Sequence, residues 1–162
     1  MTNDVSAGIK TAFLKCFLSC AVAGGLFIAG VTSAIAQAGP DATLAAAAKE
    51  PGAKVTASGL VIRMIKAGTG SQPTPSSTVK VHYKGTFPDG REFDSSYKRG
   101  EPIEFPLNGV IKCWTEGVAL MKVGGTAKLT CPSSIAYGSR GAGGVIPPNA
   151  TLVFEVVLLG VR

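Results

Sequence analysis

The chain has 162 residues, with 16 Lys and Arg against 10 Asp and Glu, a formal net charge of +6, one His, four Cys and 46% hydrophobic residues. That length carries one domain with a modest core. The basic excess is scattered, with no run longer than Lys98-Arg99, which excludes the clustered footprint of a nucleic-acid binder; one His and no zinc-spaced Cys pair leave no metal centre to expect.

The N-terminal stretch stands apart in composition. No residue between Lys15 and Asp41 is charged, and the run CFLSCAVAGGLFIAGVTSAIAQAGP is rich in Ala, Gly, Leu, Ile and Phe. Lys10 and Lys15 precede it, and Ala34-Ile35-Ala36 offers the small-x-small pattern read by signal peptidases. Residues 1–36 therefore read as a secretory signal peptide, cleaved before Gln37, which places the chain in a periplasm or outside the cell. The competing reading is an uncleaved helix anchored in the inner membrane, because the uncharged run is long enough to span a bilayer. Its Gly24-Gly25 pair, Thr32 and Ser33 weaken it as a span. Cleavage leaves 14 Lys and Arg against 9 Asp and Glu, so 14 − 9 = +5. It also leaves Cys113 and Cys131 alone in an oxidising compartment. One bridge between them would close a loop of about 18 residues, worth about 3 kcal/mol; two small buried thiols fit the same positions. Both readings stand at this point.

Residues 37–57, QAGPDATLAAAAKEPGAKVTA, lack a sustained apolar face and read as a flexible linker with a helical turn at Leu44–Lys49. Residues 58–162 form the domain. Leu60–Lys66 reads as a strand, stopped by Gly68, Gly70, Pro73 and Pro75. The next strand alternates, with Val79, Val81 and Tyr83 on one face and Lys80, His82 and Lys84 on the other, so that His82 points outward. Pro88-Asp89-Gly90 marks a tight turn between Phe87 and Phe93, and Ile103–Leu107 is a further short strand. The period then changes: Trp114, Val118 and Met121 fall at i, i+4 and i+7 ahead of Gly124-Gly125, the pattern of the domain's one short helix. Thr126–Cys131 and Thr151–Leu159 are the closing strands, the second apolar enough for the middle of a sheet. Strands on either side of one helix predict an α+β fold, a twisted antiparallel sheet wrapped around that helix.

The glycines of YGSRGAGGVIPPNA do not make a phosphate loop, because Val145-Ile146-Pro147-Pro148 follows where a helix N-terminus is required. No nucleophile, base and carboxylate arrangement is evident. The aromatic and aliphatic residues bounded by turns read, one at a time, as core.

Taken together, VHYKG, DGREFDSSYKRG, PIEFPLNGVIKCWTEGVALMKVG, AKLTC and AYGSRGAGGVIPPNATLVFEVVLL closely resemble the FKBP-type peptidyl-prolyl cis-trans isomerases. With the lead strand from Leu60 the resemblance covers about 105 residues, a whole domain. It implies a prolyl isomerase without a cofactor, assisting the folding of exported proteins, with proline-containing polypeptides as substrates and macrolides as inhibitors. It also implies an apolar bowl with Trp114 as floor and Tyr83, Phe93, Ile103, Val110, Ile111, Tyr137, Ile146 and Phe154 as walls. Asp94 would face the substrate amide, while the Ile111 N–H and the Tyr137 hydroxyl would hold substrate carbonyls. A non-catalytic chaperone or scaffold module that holds proline segments in the cell envelope would share the same bowl. The chain departs from the family at Ile103, where many members carry an aromatic residue, at Cys113, commonly Gly, and at Cys131, commonly aliphatic. No dimerising helical extension is visible after residue 37, so a monomer is expected.

Overall fold

The structure, a computed structural model, describes residues 40–162; the signal peptide and its cleavage point lie outside the described residues. Helix α1 (Pro40–Ala48) is followed by strands β1 (Ala53–Val55), β2 (Val61–Lys66), β3 (Thr78–Thr86) and β4 (Glu92–Ser95), then a single-turn helix α2 (Ser96–Arg99). Strand β5 (Ile103–Pro106), helix α3 (Lys112–Ala119), strand β6 (Thr126–Cys131) and strand β7 (Leu152–Val161) complete the order.

The strands form one antiparallel sheet in the order β1-β2-β6-β7-β3-β4. Strand β5 shares with β4 the same edge of β3: Val81 pairs with Ile103, and Lys84 with Ser95. The chain from Ser96 to Pro102, which includes α2, interrupts that edge. Alternation along β3 follows the sequence pattern, with Val79, Val81 and Tyr83 buried and Lys80 and Lys84 exposed. Strand β7 lies between β6 and β3, as its apolar run predicts.

Helix α3 lies on the inner face of the sheet. Trp114, Val118 and Met121 are buried, as their spacing requires, and Cys113 and Gly117 complete the buried face. Gly117 sets the depth of packing, since a Cβ there would stand 2.8 Å from both Leu129 methyls. Cys113 and Cys131 are joined as a disulfide, with Cα atoms 5.9 Å apart and both residues fully buried. The bridge fastens the first turn of α3 to the end of β6, so the bridged reading holds over that of two thiols.

Two expectations are corrected. Residues 40–55 are not a flexible linker: α1 forms there, and β1 pairs with β2 through Ala53↔Arg63 and Val55↔Val61. The Ala run that gave no amphipathic stripe suits a short helix, because Ala has the highest helix propensity. Ala47 is buried against the outer face of the sheet, and Glu50 bridges Arg63 of β2 and Lys128 of β6. Nor is α3 the one helix of the domain, since α1 and α2 join it. Four residues are too few for a periodic signal, and α2 is instead defined by its ends: the Ser95 side chain accepts the Tyr97 N–H, and Gly100 closes it at φ 75°. This turn also covers His82 on the outward face of β3, where it is half-buried: Tyr97 stacks on its ring at 4.7 Å, and its Nδ1 lies 2.9 Å from Ser96 Oγ.

Candidate active site

A cleft of about 650 Å³ opens on the inner face, beside the start of α3. Its lining gathers residues from six places in the chain: Tyr83 of β3, Phe93 and Asp94 of β4, Ile103 to Phe105 of β5, Gly109 to Ile111 with Trp114, Tyr137, and Phe154 of β7. The interrupted edge of β3 explains how β4 and β5 both reach it. Trp114 is the hub, with ring centroids 5.1 Å from Tyr83, 5.3 Å from Phe105 and 5.3 Å from Phe154. The Tyr83 and Phe154 rings meet it edge-on, a favourable quadrupole arrangement that fixes the plane of the indole. Phe93 stands edge-on to Phe154 at 5.6 Å and extends the wall.

The polar groups lie at the rim. The Tyr83 hydroxyl donates to Asp94 Oδ2, Arg99 Nη2 donates to the Tyr83 hydroxyl at 2.8 Å, and Arg99 Nη1 donates to Asp94 Oδ1 at 2.6 Å. The Ser95 N–H supplies Asp94 Oδ1 with another donor at 2.8 Å. Partial burial pushes the Asp94 carboxyl up, but the hydrogen bonds from Tyr83 and Arg99 outweigh it and hold the pKa below the ordinary value. Burial, followed by the carboxylate it faces, pushes the Tyr83 phenol up. Burial and then the charge of Asp94 push Tyr137 up as well, with no hydrogen bond contributing. Ile111 precedes α3 as its N-cap, and no backbone acceptor among the described residues takes its N–H.

Of the residues named from the sequence, Tyr83, Phe93, Asp94, Ile103, Val110, Ile111, Trp114, Tyr137 and Phe154 line this one cleft. Ile146 does not. It is buried in the core, because the turn from Ala142 closes on it through two backbone hydrogen bonds, Ala142 N–H to Ile146 O at 3.0 Å and Ile146 N–H to Ala142 O at 2.9 Å. Gly141, at φ 65°, makes that turn possible, since a Cβ there would meet the Ile146 oxygen at 2.2 Å. Val145 takes the outward position instead. Two contributors escaped the sequence reading. Phe105 shares a strand face with Ile103, and the two-residue period could have found it. Arg99 had no such signal, because α2 alone brings it back over Tyr83.

The sequence profile described as FKBP-type peptidyl-prolyl cis-trans isomerase matches residues 69–159. The Escherichia coli FKBP-type peptidyl-prolyl cis-trans isomerase FkpA is 55% identical over 115 residues, covering 71% of this chain and 42% of that protein. FK506-binding protein 1 of Dictyostelium discoideum is 58% identical over 103 residues, covering 62% of this chain and 96% of that protein. Among solved structures, FkpA from Escherichia coli superposes with a TM-score of 0.74 at 50% identity, over 76% of this chain and 57% of the other. A peptidyl-prolyl cis-trans isomerase from Pseudomonas syringae gives 0.71 at 37% identity, over 76% and 90%. The chain thus spans less than half of the curated FkpA sequence and nearly all of the Dictyostelium one.

Proposed function

The chain belongs to the FKBP-type peptidyl-prolyl cis-trans isomerase family, and on that basis we propose that its cleft accelerates rotation about X-Pro bonds in exported polypeptides. The observation that supports the proposal is an apolar pocket floored by a fixed indole, with Ile111 and Tyr137 in its lining; the proposed donors are the Ile111 N–H, which no backbone acceptor takes among the described residues, and the Tyr137 hydroxyl. Rotation of a peptide bond crosses a barrier of about 18–20 kcal/mol because the twisted amide has lost its resonance. Proline lowers the cost of the cis ground state without removing that barrier. The planar amide is the more polar state, and water stabilises it. A dry aromatic bowl that holds the proline ring on Trp114 removes that stabilisation and favours the twisted amide. The two donors hold the carbonyls on either side of the bond, so that one end turns against a fixed other. Asp94, kept ionised by Arg99 and Tyr83, presents its carboxylate towards the carbonyl carbon as the amide twists. No covalent intermediate and no cofactor enter this scheme.

Export is part of the proposal. The charge-free run ending in Ala34-Ile35-Ala36 supports secretion with cleavage before Gln37, and the buried disulfide suits an oxidising compartment. Among the described residues no helix is long and apolar enough to cross a membrane. Macrolides that imitate a proline ring are proposed inhibitors of the same bowl, with a monomer as the working species.

The test is acceleration of cis-trans exchange in a short proline peptide, comparing wild type with Asp94→Ala and Tyr137→Phe. Wild-type acceleration that both substitutions reduce supports the reading. Peptide binding without acceleration would replace it with a holding module.

A further inference from the structure

The disulfide stands in an unusual relation to the cleft. Cys113 lies between two site residues, two positions after Ile111 and one before Trp114. Cys131 ends β6, and six residues later, through the buried Ile135 and a 3-10 turn at Ser133–Ile135, the chain delivers Tyr137. The bridge therefore joins the segment that carries one rim donor and the floor to the segment that carries the other rim donor. The first turn of α3 has no side-chain cap and is tied to the preceding segment through Thr115 Oγ1, which donates to the Leu107 carbonyl at 2.5 Å; the Tyr137 carbonyl accepts the Gly141 N–H at 3.2 Å, and no hydrogen bond contributes to the shift of its phenol.

We propose that Cys113 and Cys131 are positioning residues for the isomerase reaction: their bond sets the spacing between the Ile111 N–H and the Tyr137 hydroxyl across the cleft. The proposal rests on the isomerase reading of the preceding subsection. Both half-cystines are fully buried, so neither touches substrate, and their effect passes through the two donors. The cross-link limits how far the start of α3 and the end of β6 can separate. Rotating an amide against two held carbonyls requires that separation to be constant, because misplacement by about 1 Å costs up to a hundredfold in rate.

The experiment is a double-mutant cycle between the bridge and Tyr137. The oxidised protein, shown to have no titratable thiol at these positions when unfolded, is compared with the unlinked Cys113→Ala/Cys131→Val pair, each with Tyr or Phe at 137. We expect removal of the bridge to lower kcat/KM about fivefold, with circular dichroism unchanged. We expect Tyr137→Phe to cost several-fold less in the unlinked background than in the linked one, the non-additivity of residues that act as a unit. Independent, multiplying losses would overturn the proposal and leave the bridge a structural staple, as would an unlinked protein with wild-type kcat/KM. Peptide affinity, read from the fluorescence of Trp114, the one tryptophan, completes the same cycle without turnover. A wild type that binds but does not accelerate would therefore count against the isomerase reading while still deciding the role of the bridge. Should the unlinked pair not fold, Cys113→Ala/Cys131→Ala with peptide binding measured below its melting temperature answers the same question.

Discussion

The Arg99 guanidinium holds Asp94 through Nη1 at 2.6 Å and the Tyr83 hydroxyl through Nη2 at 2.8 Å, closing a ring of three side chains at the rim of the cleft. It also lies over the Tyr83 ring, 5.5 Å from the centroid. The ring turns a half-exposed carboxylate into a group with one orientation.

A flat pH dependence follows. The folded-state pKa of Asp94 is depressed, so its ionised form is fully present above the unfolded value near 3.9 and is lost only as pH falls through a still lower folded value. Tyr83 and Tyr137 are raised, so both phenols keep their protons up to and beyond about pH 10. Isomerisation should therefore vary by less than about twofold between roughly pH 5 and pH 9. In Arg99→Met the acid limb should move to higher pH, because the largest cationic contribution to Asp94 is gone; a profile with an unchanged limb would show that Arg99 does not hold the carboxylate.

Trp114 serves stability and function together. It touches Tyr83, Phe105 and Phe154 on three sides, so Trp114→Ala should cost about 3–5 kcal/mol, the range for large aromatic residues in cores. Urea unfolding followed by circular dichroism measures it. Trp114→Phe should lose less stability but still lose activity, because the smaller ring leaves the floor incomplete.

At Gly117 a Cβ would stand 2.8 Å from both Leu129 methyls, and Leu129 is fully buried. Gly117→Ala gains roughly 1 kcal/mol of helix propensity but forces α3 off the sheet, and overpacking of this kind costs about 1–3 kcal/mol. A lower melting temperature is the expected balance. A higher one would mean that Leu129 yields at no cost.

Residues 40–52 can be removed separately from the site. Helix α1 covers the outward face, next to Arg63, Lys84, Lys128 and Glu155, whereas Tyr83 and Phe154 point inward. A chain beginning at Ala53 should keep its activity and melt about 3–6 °C lower, the shift that about 1 kcal/mol makes in a domain of this size. Part of that loss is the Glu50 pair with Lys128 and Arg63, which holds the carboxyl below its usual value and whose contribution fades as pH falls towards it. Its exposure keeps this part small.

The strands and α3 were legible because their signals are periodic. Val79, Val81 and Tyr83 repeat every second residue, and Trp114, Val118 and Met121 follow the turn of a helix, so burial simply reproduces the pattern. Helix α1 was legible only as a turn at Leu44–Lys49, since a run of Ala has high propensity but no face, and its place was decided by Glu50 meeting two cations further along the chain. Arg99 was missed for a related reason: its partners lie 5 and 16 residues away, a distance closed by the turn at Ser96–Arg99 rather than by any local period. Adjacent Val145 and Ile146 are equally apolar in sequence, and only the tight turn decides that Ile146 is the one that faces inward. The cysteine pair left two readings open, as its spacing says nothing of whether the helix start meets the strand end; the fold brings them to a Cα separation of 5.9 Å.

Strand β7 pairs on one side with β6, from Thr126↔Val157 to Cys131↔Leu152, and on the other with β3, from Val79↔Val161 to Thr86↔Val153. It follows every other strand in chain order, yet without it the sheet is two separate ladders, β1-β2-β6 and β3 with β4 and β5. A polypeptide emerging from its N-terminal end therefore carries two half-sheets with no means of joining until residues 152–161 appear. Until then the Phe154 wall is missing and the indole of Trp114 has lost a neighbour. This order of strands holds off closure of the domain until the last of them is available.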